Sequence, residues 1–289
     1  MSPGRAAGLP GMDTLMTGLG LVESPRRHDG RLWFSDWTHG RIIAVDDVGA
    51  AETVLEHASL PLCFDFLPDG RLVLASNREH ALLVGEPDGS LVPYADLAGL
   101  APAPTFNEVV ADPHGRVYVN GSGGTEGSAG SGGSGFVALV TPDGSARVVA
   151  EDLAFPNGML LTPDGTTLVV ADSYRNELVA FPVAADGGLA ERRTWAGLGE
   201  DNPDGICLDA TGAIWYADVP HQRCVRVAEG GAVLATVALD RGGFSCAVEG
   251  DRLYVVAARW PGMDRLATFR DWDGQVLRVD LTESAGREA

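Results

Sequence analysis

Basic charge is scarce in this chain. Its 289 residues carry 21 Lys and Arg against 40 Asp and Glu, a formal net charge of −19. A surface of that sign repels phosphate backbones, which argues against nucleic acid as a partner. Cysteine is sparse and unpatterned. Cys63, Cys207, Cys224 and Cys246 form no C-x-x-C pair, and each lies in or beside an apolar strand pattern. Buried free thiols are expected, as in a reducing compartment. Long apolar runs are missing too. Residues 1–20 show no basic region followed by a continuous apolar core, so the expectation is no signal peptide, no membrane partner and a cytoplasmic location. No stretch keeps a 3.6-residue apolar period over three turns, so almost no helix is expected. Absent as well are a Gly-x-Ser-x-Gly elbow, a phosphate loop, a nucleotide-binding glycine motif and His-Glu-x-x-His. Each absence removes one common route to catalysis.

Repetition is what the chain has instead. Six segments begin near Glu23, Cys63, Asn107, Asn157, Asp204 and Ser245. Each runs as an inner apolar strand, a glycine-containing turn, a second strand, a short loop and a third strand, with a fourth strand after most. The turns include His28-Asp29-Gly30, Pro68-Asp69-Gly70 and Pro163-Asp164-Gly165, which is hairpin chemistry. A period of about 40 to 50 residues matches the blade of a propeller. The expected fold is all-β: a six-bladed β-propeller of four-stranded blades around a central channel. One domain is expected over residues 1–289, with a core from about 15 to 281 and a disordered tail over 282–289. Residues near Leu15 to Leu19 are placed to close the last blade beside Gln275 to Leu281, which covers an exposed sheet edge. One stretch, Gly121 to Gly135, is almost all Gly and Ser and reads as a mobile loop inside the third repeat.

Four polar residues share nearly one phase of the repeat. Asn107, Asn157 and Asp204 stand eight residues before Gly115, Gly165 and Gly212, and Glu23 stands seven before Gly30. An Asn or Asp before Gly is ordinarily a turn residue. These four, however, all precede inner strands, and the corresponding places elsewhere hold Cys63 and Ser245. In a radial arrangement, two carboxylates and two amides converge on the axis, the ligand types of a hard divalent cation. Ca²⁺, Mg²⁺ and Mn²⁺ suit such oxygen donors, and Zn²⁺ suits them less. Other candidates carry weaker signals. His39 reads as a solvated loop residue, and Asp36, Asp172 and Asp218 read as turn residues ending second strands. Trp37, Phe64, Phe106, Phe244 and Trp260 either wall a pocket or pack between blades.

The segments Glu23-Ser-Pro25, Phe155-Pro-Asn-Gly158 and Asn202-Pro-Asp-Gly205 resemble signature strands of the regucalcin/gluconolactonase/luciferin-regenerating enzyme family. The resemblance runs from about Leu19 to Leu281 and implies a six-bladed propeller holding one divalent cation at the top of its channel. It implies Glu23, Asn157 and Asp204 as metal ligands, with Asp204 also the general base. Asn107, within Thr105-Phe106-Asn107, is implied as a substrate contact, and the three residues form the implied substrate-binding segment. Two departures stand out. Arg26-Arg27 replaces the usual apolar pair after Glu23-x-Pro25, and Thr105 stands where the sugar-lactone branch carries an Arg that orients hydroxylated substrates. Arg78 and Arg259 are candidates to replace it. The implied activity is metal-dependent hydrolysis of small lactones or related esters, with a small molecule as the partner. A metal-dependent isomerase or cyclase, and a non-enzymatic cation-binding module, are the alternatives. Oligomeric state is left open.

Overall fold

Short alternating segments closed by glycine turns dictate hairpins. The closing glycine of these turns adopts positive φ, +70° at Gly30, +85° at Gly70 and +68° at Gly165, a conformation that a Cβ would penalise. The chain accordingly forms six antiparallel four-stranded sheets, in a computed structural model that describes residues 11–124, 135–262, 265 and 268–282. Among these residues there is no α-helix, and Ser173–Arg175 forms a 3-10 turn. No helix among them is long and apolar enough to cross a membrane.

The first strand of each repeat lies innermost. These are Val22–His28, Leu62–Phe66, Thr105–Ala111, Pro156–Leu161, Pro203–Leu208 and Gly242–Glu249. Each contacts the inner strand of the blade before and after it, and the last contacts the first, so the blades close into a ring. The sixth blade is completed from the far end of the chain. Met12–Leu19 pairs antiparallel with Gly274–Asp280, Met12 opposite Val279 and Leu19 opposite Gly274. That is the closure expected from Leu15 to Leu19. The apolar faces pack between neighbouring blades: Cys63, Val73, Val109, Val119 and Phe136 between the second and third, Leu160, Ala171, Ile206 and Tyr216 between the fourth and fifth.

Five of the six inner strands slip register at the same place. The slips fall between Glu23 and Arg26, Phe106 and Glu108, Pro156 and Met159, Pro203 and Ile206, and Gly243 and Ser245. Leu62–Phe66 pairs without one. A slip of this kind leaves an unpaired residue on the inner strand, bends it, and re-aims a side chain.

The Gly/Ser stretch is shorter as a connection than its composition implied. Gly121 and Ser122 pair with Phe106 and Thr105, and Gly135 pairs with Ser122. A Cβ on Gly121 would overlap the Thr105 carbonyl, so this glycine serves close strand approach rather than a loop. The rest of the expected loop, residues 125–134, lies outside the described residues. So does most of the expected tail, residues 283–289. Thr282, its first residue, is tied to the Asp280 carboxylate through backbone N–H and hydroxyl at 2.9 and 2.6 Å.

Candidate metal and substrate site

The register slips bring the polar residues of equal phase together at one end of the channel. Asn107 Nδ2 donates to Asn157 Oδ1 at 2.9 Å and to the Pro156 carbonyl at 3.3 Å, joining the third and fourth blades. Asn157 hydrogen-bonds the Asp204 carboxylate and favours its charged form, and the charge of Asp204 is felt at Glu23. Glycines permit this convergence. A Cβ on Gly158 would overlap the backbone of Asp204 to Ile206, and one on Gly205 would overlap Ser245. The inner strands of the fourth, fifth and sixth blades therefore approach as closely as backbone allows.

The electrostatics concentrate buried negative charge. Burial, then the charges of Asp204 and Glu108, push the Glu23 carboxyl well above its usual range. Burial, then Glu108, does the same to Asp204, against the stabilising bond from Asn157. Asp204 Oδ1 is buried and has no hydrogen-bond partner. A buried acceptor without a donor is costly, and a bound cation removes that cost. Glu23, Asn157 and Asp204 would offer oxygen ligands, which suit Ca²⁺, Mg²⁺ or Mn²⁺.

A third buried carboxylate, missed in the sequence, completes the surroundings. Glu108 is 5% exposed. It accepts from Arg26 Nη2 at 2.9 Å and from the Val109 N–H at 2.8 Å. Arg26 also faces Asp65 at 3.5 Å and donates to the Val109 carbonyl at 3.0 Å. The Arg that breaks the expected apolar pair after Pro25 is thus a counter-ion for two carboxylates. An acid at Glu108, inside the apolar strand Thr105–Ala111, was the available signal.

Phe106 is a correction. Its ring is 1% exposed and packs in the core between the second and third blades. The slip at Asn107 turns the amide to the channel while its neighbour points between blades, so Phe106 is not brought to the site as a side chain. Thr105 is exposed at the start of the same strand. Phe64 and Phe244 are also core residues. Trp37 is half-buried, and its Nε1 donates to Ser35 Oγ at 3.0 Å; that hydroxyl in turn donates to the Glu23 carbonyl at 3.1 Å. Both suggested replacement Args make ion pairs at the surface. Arg78 faces Glu79 at 3.4 Å, and Arg259 pairs with Asp271 and Asp273.

Two other clusters have suggestive composition. Asp201, Asp218 and His221 could offer ligand atoms to a cation, but the Arg223 guanidinium already bonds both carboxylates. The same corner recurs in the first blade, where Asp36 accepts from His39 at 2.8 Å and from Arg41 at 3.0 Å. A repeated corner of this form holds strands together. Ser76, His57 and Glu79 also meet, yet one His57 nitrogen faces both the hydroxyl, at 2.8 Å, and the carboxylate, at 3.2 Å. A relay needs the two ring nitrogens to serve the two partners separately. The chain contains no lysine, so no side-chain amine is present for Schiff-base chemistry.

Comparison with known proteins places the family and the fold. The family described as SMP-30/Gluconolactonase/LRE-like region matches residues 21–259. A 6-deoxy-6-sulfogluconolactonase from Pseudomonas putida is 26% identical over 217 residues, covering 72% of this chain and 71% of that protein. A luciferin-regenerating enzyme structure superposes with a TM-score of 0.79 at 19% identity, covering 93% of this chain and 94% of the other. A calcium-binding regucalcin from Agrobacterium tumefaciens superposes with a TM-score of 0.72 at 23% identity, covering 92% and 94%. At such identities the two structures speak for the fold.

Proposed function

This chain belongs to the SMP-30/gluconolactonase/LRE-like family, and from that premise we propose that it is a divalent-cation-dependent hydrolase of small lactones. The observation that carries the reading is the partnerless, buried Asp204 Oδ1 beside a second carboxyl, Glu23, both held above their usual range. Glu23, Asn157 and Asp204 would hold the cation. When bound, such an ion acts as a Lewis acid toward the lactone carbonyl. The chain's own residues supply the remaining chemistry. Asp204, whose pKa is raised by burial and then by Glu108, is suited to accept the proton of an attacking water. Asn107, fixed by its two bonds to the fourth blade, would orient the substrate. Glu108 and Arg26 brace the wall beneath. The names of the curated relative and of the family support a lactone as the substrate.

Proton release measured on a panel of lactones tests this reading. Chelator should abolish turnover, and Ca²⁺, Mg²⁺ or Mn²⁺ should restore it. Asp204→Ala, compared with wild type at equal metal occupancy, should lose activity, and equal rates would refute the proposed base. Asn107→Ala should lower turnover about tenfold, as for one oriented hydrogen bond, while changing cation affinity less. Failure to hydrolyse any lactone would favour an isomerase or cyclase using the same cation.

A further inference from the structure

Half-exposed aromatic rings stand beside the polar cluster without a partner that explains them. Phe155 and Tyr174 stack with ring centroids 4.7 Å apart and planes 31° apart. Both are pinned to the strands that carry the site. Phe155 lies two residues before Asn157, and its N–H donates to Asp172 at 2.9 Å. Ser173, just before Tyr174, donates its N–H to the Phe155 carbonyl at 3.0 Å and its hydroxyl to the Pro203 carbonyl at 2.6 Å. Asn157 Nδ2 reaches the same hydroxyl at 3.4 Å. Tyr174 therefore lies half-buried close to Asn157 and Asp204. Its hydroxyl is not a buried orphan, and among the described residues it has no hydrogen-bond partner. Burial and the charge of Asp204 raise its pKa, so at neutral pH it is an O–H donor. A ring with a free donor at the mouth of a site is an amphipathic wall for a ligand.

The charges nearby complete the picture. Arg175, the next residue, is held by Asp152 at 2.7 Å and faces Asp172 at 3.5 Å. Arg26 is held by Glu108 and Asp65. With both guanidiniums already paired, neither is free to receive a sulfonate, phosphate or carboxylate on the substrate.

Resting on the hydrolase reading, we propose that Phe155 and Tyr174 form the specificity wall of this site, and that its substrate is an uncharged lactone bearing an aromatic or apolar ring, which stacks on the pair while the Tyr174 hydroxyl donates to one of its oxygens. The test compares dihydrocoumarin, δ-valerolactone and glucono-δ-lactone on the cation-loaded full chain. Wild type should favour dihydrocoumarin over glucono-δ-lactone by about tenfold or more in kcat/KM, and Phe155→Ala or Tyr174→Ala should each lose roughly three- to tenfold on dihydrocoumarin, the range of one aromatic contact. Phe155→Ala should leave δ-valerolactone within about twofold, and Tyr174→Ala should lose less on it than on dihydrocoumarin, because both lactones offer oxygens to the hydroxyl but only dihydrocoumarin offers a ring to stack. Tyr174→Leu and Phe155→Leu keep apolar volume without the ring and serve if the Ala variants fail to fold. A wild type that prefers glucono-δ-lactone, or variants that lose equally on all three lactones, would overturn the proposal. If wild type hydrolyses none of them, the hydrolase reading fails, and calorimetric binding of dihydrocoumarin judges the wall alone: an affinity unchanged in Tyr174→Ala overturns it, and a loss of the same size supports it.

Discussion

Replacing Asp204 by Asn should make the cation-free protein at least as hard to unfold, and at the same time remove most of its stabilisation by divalent cations. The Asp204 carboxyl is raised by burial and by Glu108, and Glu23 by burial, Asp204 and Glu108. A carboxyl raised in the folded state contributes stability that is fully present below its unfolded pKa, near 4, and lost as pH rises through the folded value. Cation-free wild type should therefore weaken as pH rises above about 4 and through the raised folded values. Each tenfold change in proton affinity is worth about 1.4 kcal/mol. Asn keeps the shape and removes the charge. With about 2.1 cal/mol/K of unfolding entropy per residue, a chain of this length gains roughly 1.6 °C in Tm per kcal/mol. A cation at about 100 times its Kd adds about 2.7 kcal/mol, or roughly 4 °C. Scanning calorimetry in chelator and in saturating Ca²⁺, Mg²⁺ or Mn²⁺ reads both effects. The wild-type shift should be larger at pH 8 than at pH 6, because the cation must displace protons, and the Asn variant should shift by less than about 1 °C. The reasoning is refuted if Asp204→Asn lowers Tm in chelator and keeps the full cation shift.

Arg26→Gln should cost about 3–5 kcal/mol, the range for breaking a buried ion pair, since Glu108 and Asp65 would lose their shared counter-ion; a Tm within 1 °C of wild type would show that the pair is not needed. Deleting residues 1–19 strips the outer strand from Gly274–Asp280 and exposes a sheet edge. The truncated chain should aggregate or elute as multimers on size exclusion, and an unchanged elution volume with cooperative unfolding would refute the closure role.

The blades were legible because their signals are local. A glycine that must take positive φ marks each turn, and alternating apolar residues mark each strand, whatever the rest of the chain does. The shared phase of Asn107, Asn157 and Asp204 was legible for a related reason: each stands at the slip of its own inner strand, so a common local geometry leaves a common spacing. Phe106 misled because adjacency in sequence is opposition in a strand, and the slip sends Asn107 and its neighbour to different surroundings. Arg26 and Glu108 were missed as a pair because they are 82 residues apart, and pairing across a channel has no period.

By itself the sequence determined the repeat, its blade length, the strand that closes the ring and the phase at which polar groups gather, because propensity and turn chemistry act within a few residues. Only the tertiary structure decided which groups share the channel end, which carboxylate oxygen is left without a donor, which Arg is already paired, and that Phe155 and Tyr174 stack on each other. Those are consequences of ring closure, which brings together residues from different blades at distances no spacing along the chain encodes.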